Sequence, residues 1–413
     1  MIIEEYKAKS LVKKSYPSPF GWFDYTLNPY QGCWHDCKYC DGKSERYHMH
    51  SDFGNRIRVK SNAVELLKSF FEKNARLANR QVCIESSMNE NNNRTKAPYT
   101  IFVGGGVCDV YQPAEKKVRI MRSILQTAYD YGVPVILLTK NVLALDDLDL
   151  LKKINKETYA CVNFTITLGD DSIQRVFEPR ASSSSERFEA IRKFREEGID
   201  AGVFFFPILP FIGDTDENMS YIFRKSREVQ ASYVYSGSLT LTLGNNKNEF
   251  FSTLREYDPK ILSKYEILYG NNDKYGNMDY KVMKKLKLPR PEIKAYKYLY
   301  ENNLRYSAKR YIPHGRIVSN LRISELLMCI AYVKGTVMGS WQEAWTINKA
   351  AYYIENYKRD IFELSREELL SLPISQIAYE CMIDYFINGC SKLLTDLEAK
   401  AYEEVCRKLE TYK

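Results

Sequence analysis

The sequence predicts an α/β fold on parallel strands, followed by a mostly helical C-terminal region. Three observations carry this. Apolar strand candidates and amphipathic helix candidates alternate about six times between residues 22 and 243, the order that gives parallel strands with crossover helices. Pro134 to Thr139 (PVILLT) is apolar throughout, as expected of a strand covered on both faces. Beyond residue 248 the alternation stops and helical patterns dominate. The order fits either an open doubly wound sheet or a partial barrel, and no repeat period is visible.

Taken in order, residues 1–21 form an irregular lead-in ending in Pro17, Pro19 and Gly21. Trp22 to Leu27 is the first strand candidate, stopped by Pro29, which cannot donate to a ladder. A loop with Cys33, Cys37 and Cys40 follows. Asn62 to Leu77 is an amphipathic helix with Ser61 as its cap. Residues 86–98 are polar and Asn-rich, an expected loop insertion. Tyr99 to Val103 is a strand running into Gly104-Gly105-Gly106. Helix 113–131, strand 134–139 and helix 143–154 come next, then strand 161–168 and helix 184–197, closed by Gly198. Strand 201–208, helix 216–229 and a strand-rich segment 233–243 complete the alternation. Helical patterns then cover 249–267, 292–302, 322–334, 341–357, 365–387 and 391–411. The expected units are therefore 1–21, 22–247 and 248–413.

Ten cysteines are scattered over 413 residues, and their one cluster is 33–40. That usage suits metal binding in a reducing compartment better than a disulfide framework. No apolar run reaches the ~20 residues of a membrane span. The N-terminus shows no apolar core or cleavage site of a secretory signal, so a cytoplasmic protein is expected. The motifs G-x-S-x-G, H-E-x-x-H and the Walker loop are absent, which removes the sequence basis for those hydrolase, metalloprotease and P-loop readings. The net charge of +8 is uneven: between Lys281 and Arg316 eleven Lys and Arg residues meet two Glu, with five tyrosines interleaved and Tyr280 just before them. Two readings fit that stretch, a polyanion footprint such as a nucleic-acid surface or a solvated helix face.

The loop Asn28-Pro29-Tyr30-Gln31-Gly32-Cys33-Trp34-His35-Asp36-Cys37-Lys38-Tyr39-Cys40 is the chemical focus. Its C-x₃-C-x₂-C spacing allows zinc, structural thiols or an iron–sulfur cluster. Zinc sites usually pair two C-x₂-C units or one with H-x₃-H, and the other cysteines form no second pair. A [4Fe–4S] cluster normally takes four cysteines; three would leave one iron open for a ligand. Several unusual residues gather at expected strand ends: the glycine triplet, Thr139-Lys140 and Thr165. In α/β barrels that edge carries the active site.

With Tyr39 before its last cysteine, the loop resembles the signature of radical S-adenosylmethionine (SAM) enzymes. Asn28-Pro29-Tyr30-Gln31-Gly32, Asp109-Val110-Tyr111-Gln112-Pro113-Ala114-Glu115, Thr139-Lys140 and Glu178-Pro179-Arg180 further resemble the spore photoproduct lyase-like (DNA repair photolyase-like) subgroup. The resemblance covers residues 22–243 and implies a partial (β/α)6 TIM-like barrel. It implies that Cys33, Cys37 and Cys40 hold a [4Fe–4S] cluster whose open iron is chelated by SAM. The reduced cluster would cleave SAM to methionine and a 5′-deoxyadenosyl radical, which takes hydrogen from a substrate. Gly104, Gly105 and Gly106 are then expected at the methionyl amino group, Lys140 and Arg180 at the SAM carboxylate, and Thr165 at the ribose or carboxylate. Tyr39 and Asp109 would lie beside the cofactor, and Cys108 is the candidate hydrogen donor. The subgroup's own cysteine donor aligns with Gly106 instead, which separates this chain from thymine-dimer repair. An electron donor such as flavodoxin or ferredoxin is expected. The substrate readings are a nucleic acid, or else a peptide, RNA or small molecule; outside the resemblance, a non-catalytic iron–sulfur or zinc protein is the alternative.

Overall fold

The computed structural model describes residues 1–82, 96–104, 107–270 and 273–412. In chain order its strands are β1 (Ile2–Tyr6), β2 (Val12–Lys14), β3 (Tyr25–Leu27), β4 (Tyr30–Gln31) and β5 (Arg56–Lys60), then β6 (Ile101–Val103), β7 (Val135–Thr139), β8 (Ala160–Thr165), β9 (Asp200–Ile208) and β10 (Val234–Ser238). The main sheet has the order β10-β9-β8-β7-β6-β3-β2. Every neighbouring pair from β3 to β10 is parallel, and β2 closes one edge antiparallel to β3. Six parallel strands in sequence order, with helices in the crossovers, make the partial (β/α)6 barrel.

Alternation fails in these strands because both faces are covered. All six residues of β8 are buried, the continuous apolar pattern of parallel strands. The crossover helices hold the outer layer by amphipathic faces. Helix Ser184–Glu196, for instance, buries Phe188, Ile191 and Phe194 and opens with a Ser183/Glu186 capping box.

Three expectations are corrected. The lead-in is not irregular: β1 pairs in parallel with β5, which also carries β4 antiparallel. The resulting small sheet stands directly before the cysteine loop. The expected helix 249–267 is two helices, Asn245–Tyr257 and Pro259–Tyr269, because Asp258 caps the second and Pro259 takes its first turn. Likewise 365–387 divides into Arg366–Ser371 and Gln376–Asn388 around Pro373, which cannot continue a helix. The expected insertion 86–98 lies outside the described residues up to position 95.

The C-terminal helices share the barrel's core. Ile293, Leu299, Leu327 and Ile330 join the apolar cluster that holds Phe102, Val162 and Phe204. The segment before helix Val318–Tyr332 also bonds to the barrel, with Trp22 Nε1 donating to Ala308 O at 2.7 Å and Val234 N to Arg305 O at 2.8 Å. Arg310 lies over the Trp22 ring and forks onto Glu355 at 2.9 and 2.6 Å, both charged groups being buried.

Removing one partner of such a pair costs about 3–5 kcal/mol, here toward the lower end because Glu355 keeps Ser324 and, at 3.5 Å, Arg316. Arg310→Ala is therefore expected to lower unfolding free energy by about that amount in urea titrations. Lys309→Ala, an exposed neighbour, should stay within about 0.5 kcal/mol of wild type.

Candidate functional site

A cavity of about 180 Å³ lies at the C-terminal ends of the parallel strands. Gly104 follows β6, Leu138, Thr139 and Lys140 end β7, Thr165 ends β8, and Phe206 and Ser238 come from β9 and β10. The cysteine loop closes the space with Cys33, Cys37, Tyr39 and Cys40, and Cys108 and Asp109 fill one corner. This is the edge where barrel enzymes build their sites.

Beyond the two residues of β4 the loop has no helix or strand of its own, so its order comes from its partners. Two motifs far apart in sequence interlock beneath it. Gln112, fully buried, donates to Gly32 O at 3.0 Å and accepts from Trp34 N at 2.8 Å. Asn28 donates to Cys108 O at 2.6 Å, and the Tyr30 hydroxyl donates to Glu115. Burial raises the Glu115 carboxyl to about 7, against the pull of its Tyr30 and Met121 hydrogen bonds. Gly32 has φ +81, and a Cβ there would stand 2.3 Å from Arg56 O, so no other residue fits this turn. On the far side Asn246 donates to Cys40 O at 3.0 Å, and Lys43 bridges Asp36 and Glu249. Helix Asn245–Tyr257 thus straddles the expected boundary at 247/248 and belongs to the site.

A second network ties the loop to the sheet. The Tyr39 hydroxyl donates to Glu178, and Arg187 pairs with Glu178 while donating to Thr165 O at 2.7 Å. Glu178 and Arg187 are both essentially free of solvent. Burial opposes the charge on Glu178, but Arg187, Lys140 and the Tyr39 hydrogen bond outweigh it and hold the carboxyl below the usual range. Asp109 behaves similarly. It accepts from Thr139 Oγ1 at 2.7 Å and Lys140 N at 2.6 Å, and lies 3.3 Å from His35 Nε2. His35 and these hydrogen bonds outweigh its burial and lower its pKa.

The structure brings together Cys33, Cys37, Cys40, Tyr39, Gly104, Cys108, Asp109, Lys140 and Thr165. Gly105 and Gly106 lie outside the described residues. Arg180 is not among the cavity's lining residues: it lies over the Trp34 ring, donates to Gly54 O at 3.1 Å and reaches Asp36 at 4.0 Å. The buried guanidinium of this region is Arg187, which the sequence reading missed because one helix residue among many charged neighbours has no distinguishing pattern. Burial pushes the Cys33, Cys37 and Cys40 thiols up, so holding them as thiolates asks for a cation in the cavity. Among the described residues no three His, Cys, Asp or Glu side chains converge on one ion position. A cluster whose irons take one thiolate each asks for less, three thiols around one opening.

The basic stretch 281–316 does not form one surface. Arg310 is buried against Glu355, Arg316 lies between Asp24 and Glu355, and Lys294 pairs with Asp216. Tyr296 and Tyr306 are buried. The cations that stay exposed are chiefly Lys281, Lys284, Lys285 and Lys287, on and just after helix Tyr280–Lys285.

The two arginines should separate cleanly in anaerobic chemical denaturation. Arg187→Ala strands Glu178 and is expected to destabilise by about 3–5 kcal/mol. Arg180→Ala, at a partly exposed pair, should cost less than about 1 kcal/mol.

Comparison with known proteins adds the following. A Radical SAM superfamily model matches residues 27–225. An uncharacterized protein of Mycobacterium tuberculosis is 26% identical over 251 residues, covering 60% of this chain and 67% of its own length. An uncharacterized protein of Methanocaldococcus jannaschii is 28% identical over 193 residues, 46% of this chain and 63% of the relative. Among solved structures, a spore photoproduct lyase complexed with dinucleoside spore photoproduct aligns with TM-score 0.49 at 16% identity, covering 72% of this chain and 79% of that one. The superfamily works with a [4Fe–4S] cluster and SAM and needs an electron donor. Residues 27–225 thus form a domain of the radical SAM superfamily.

Proposed function

We propose that the chain is a radical SAM enzyme acting on a nucleic-acid substrate, in the manner of the spore photoproduct lyase-like subgroup. Cys33, Cys37 and Cys40 each take one iron of a [4Fe–4S] cluster, and the cavity beside them receives SAM. The observation carrying this reading is that one cavity gathers three thiols, a glycine strand end, a lysine and a threonine from separate strands. The donor set fits the group: the three cysteines are in no disulfide, and Lys140 Nζ lies over the Tyr39 ring rather than against a carboxylate.

When bound and reduced, the cluster supplies the electron that splits SAM into methionine and a 5′-deoxyadenosyl radical able to take hydrogen from a substrate. The chain's own residues orient and exclude. Lys140, 5.8 Å from the Tyr39 ring centroid, offers its ammonium to the SAM carboxylate. Gly104, with φ +111, opens the backbone of its strand end to the methionyl amino group, and Gly105 and Gly106 extend that role. Thr165 offers a hydroxyl to the ribose or carboxylate. Asp109 holds the β7 end in place through Thr139 and Lys140 N. Leu138, Phe206 and Leu239 wall the cavity against water. Cys108, buried on the same wall, is the hydrogen donor to a substrate radical. Arg180 has no part in this reading. The electron comes from a carrier such as flavodoxin or ferredoxin.

Anaerobically reconstituted, reduced protein given SAM is expected to form 5′-deoxyadenosine. Cys33→Ala, Cys37→Ala and Cys40→Ala should each bring that product to background and weaken the iron–sulfur absorbance. Cys108→Ala should keep the absorbance, which separates a hydrogen donor from a fourth ligand. Wild type with an intact cluster and no 5′-deoxyadenosine overturns the enzyme reading.

A further inference from the structure

Helix Trp341–Glu355 is built with two unlike faces. Ala344, Ile347, Ala351 and Ile354 are buried in the core. The other face carries Trp341, Trp345, Lys349 and Tyr352 at roughly helical spacing, with the two tryptophans 60% and 64% exposed. A surface helix ordinarily places polar residues there, and clustered exposed aromatics mark a contact site. Fold stability does not explain them, since the opposite face already supplies the packing.

These side chains line a groove of about 690 Å³ whose other wall is Tyr16 to Phe20. Its lining contains no Asp or Glu and one cation, Lys349, held 5.5 Å over the Trp345 ring. A second hollow of about 650 Å³ shares Lys349 and Tyr352 and adds Lys358 and Arg359, again without a carboxylate in its lining. Of these cations Arg359 is paired with Glu368. The helix's exposed Glu343 is neutralised by Lys334 at 3.0 Å. Aromatic platforms in a carboxylate-free, cationic trough are what single-stranded nucleic acid requires: rings for the bases to stack on, positive charge for the backbone.

A file of packed rings spans the distance between the groove and the cysteine cavity. Phe20 and Tyr235 form part of the groove's lining, with ring centroids 5.3 Å apart. Tyr235 lies 6.5 Å from Phe206, and Phe206 lines the cavity of the three cysteines.

We propose that the groove along helix Trp341–Glu355 docks single-stranded nucleic acid, with bases stacked on Trp341, Trp345 and Tyr352 and the backbone following Lys349 and Lys358. The inference deepens the proposed function by giving its substrate a docking face at one end of the ring file that runs through Tyr235 and Phe206. It moves the nucleic-acid footprint from residues 281–316 to a face outside the superfamily match.

The test is fluorescence anisotropy of the full chain with labelled DNA and RNA oligonucleotides of about 15 nucleotides, within the range that one binding module occupies. Binding of either is expected, steeply weakened by salt, and the tighter one identifies the sugar. Trp345→Ala and Trp341→Ala should each weaken it roughly 5- to 100-fold, the loss of one base stack; Lys349→Glu should weaken it and flatten the salt dependence. Both tryptophans are exposed, so circular dichroism should show an unchanged fold. The proposal is overturned by no binding at low salt, or by affinity insensitive to all three substitutions. Loss of binding on reversing Lys284, Lys285 and Lys287, with the tryptophan variants unaffected, also overturns it. So does groove-dependent binding of a proline-rich peptide in place of the oligonucleotides. Because this assay needs neither cluster nor SAM, groove-dependent binding without 5′-deoxyadenosine formation sinks the enzyme reading alone, and the converse sinks the groove alone.

Discussion

The site depends on a buried carboxylate, Glu178, shared by the Tyr39 hydroxyl and the Arg187 guanidinium. A loop with three thiols has little to hold it, since cysteine side chains make weak hydrogen bonds and the segment has no ladder. Glu178 supplies a rigid reference point. Arg187 fixes it from below while its other nitrogens satisfy Thr165 O and Ser182 O, so the guanidinium is fully used. Two desolvated charges gain little net stability over an apolar pair. What the arrangement secures is position: Tyr39, between Cys37 and Cys40 in sequence, is aimed at one point beside the end of β8.

The opposite wall is held by a different logic. Asn28, Tyr30 and Gly32 lie just before the first cysteine, and Gln112 and Glu115 lie beyond the last glycine of the triplet. Their hydrogen bonds make each motif the other's framework, which explains physically why both kinds of residue stand in the chain. Charge is distributed to match: Asp109 and Glu178, the carboxylates beside the cavity, are each held by neighbours, and the Lys140 ammonium stands over the Tyr39 ring at the cavity wall.

The parallel strands were legible because burial on both faces leaves apolar runs that survive any error of a residue or two at their ends, while their closure as a partial barrel came from the resemblance and not from the pattern. The cysteine loop was legible because its spacing encodes the geometry. What stayed hidden depends on partners distant in sequence. β1 reads Ile-Ile-Glu-Glu-Tyr and is half exposed; its pairing with β5, about fifty residues on, leaves no local period. The divided helices at Pro259 and Pro373 were readable by proline's own rule, but an uninterrupted apolar rhythm across both concealed them. Arg180 drew notice by standing in a motif, whereas Arg187 does the buried pairing because residue 187 lies on the inward face of helix Ser184–Glu196.

The basic stretch and the aromatic stripe are both read differently once packing is known. A charge count along the sequence treats every cation as available, yet Arg310, Arg316 and Lys294 are consumed by carboxylates from other elements. Local excess is therefore no measure of field. Conversely, Trp341, Trp345 and Tyr352 resemble ordinary core residues in sequence, because helical spacing cannot say which face points inward. Only when Ala344, Ile347 and Ile354 are seen to fill the interior do the aromatics become surplus to folding. What remains after packing is complete is of two kinds: the exposed Lys281, Lys284, Lys285 and Lys287 from the stretch, and the exposed rings of Trp341 and Trp345 on the helix.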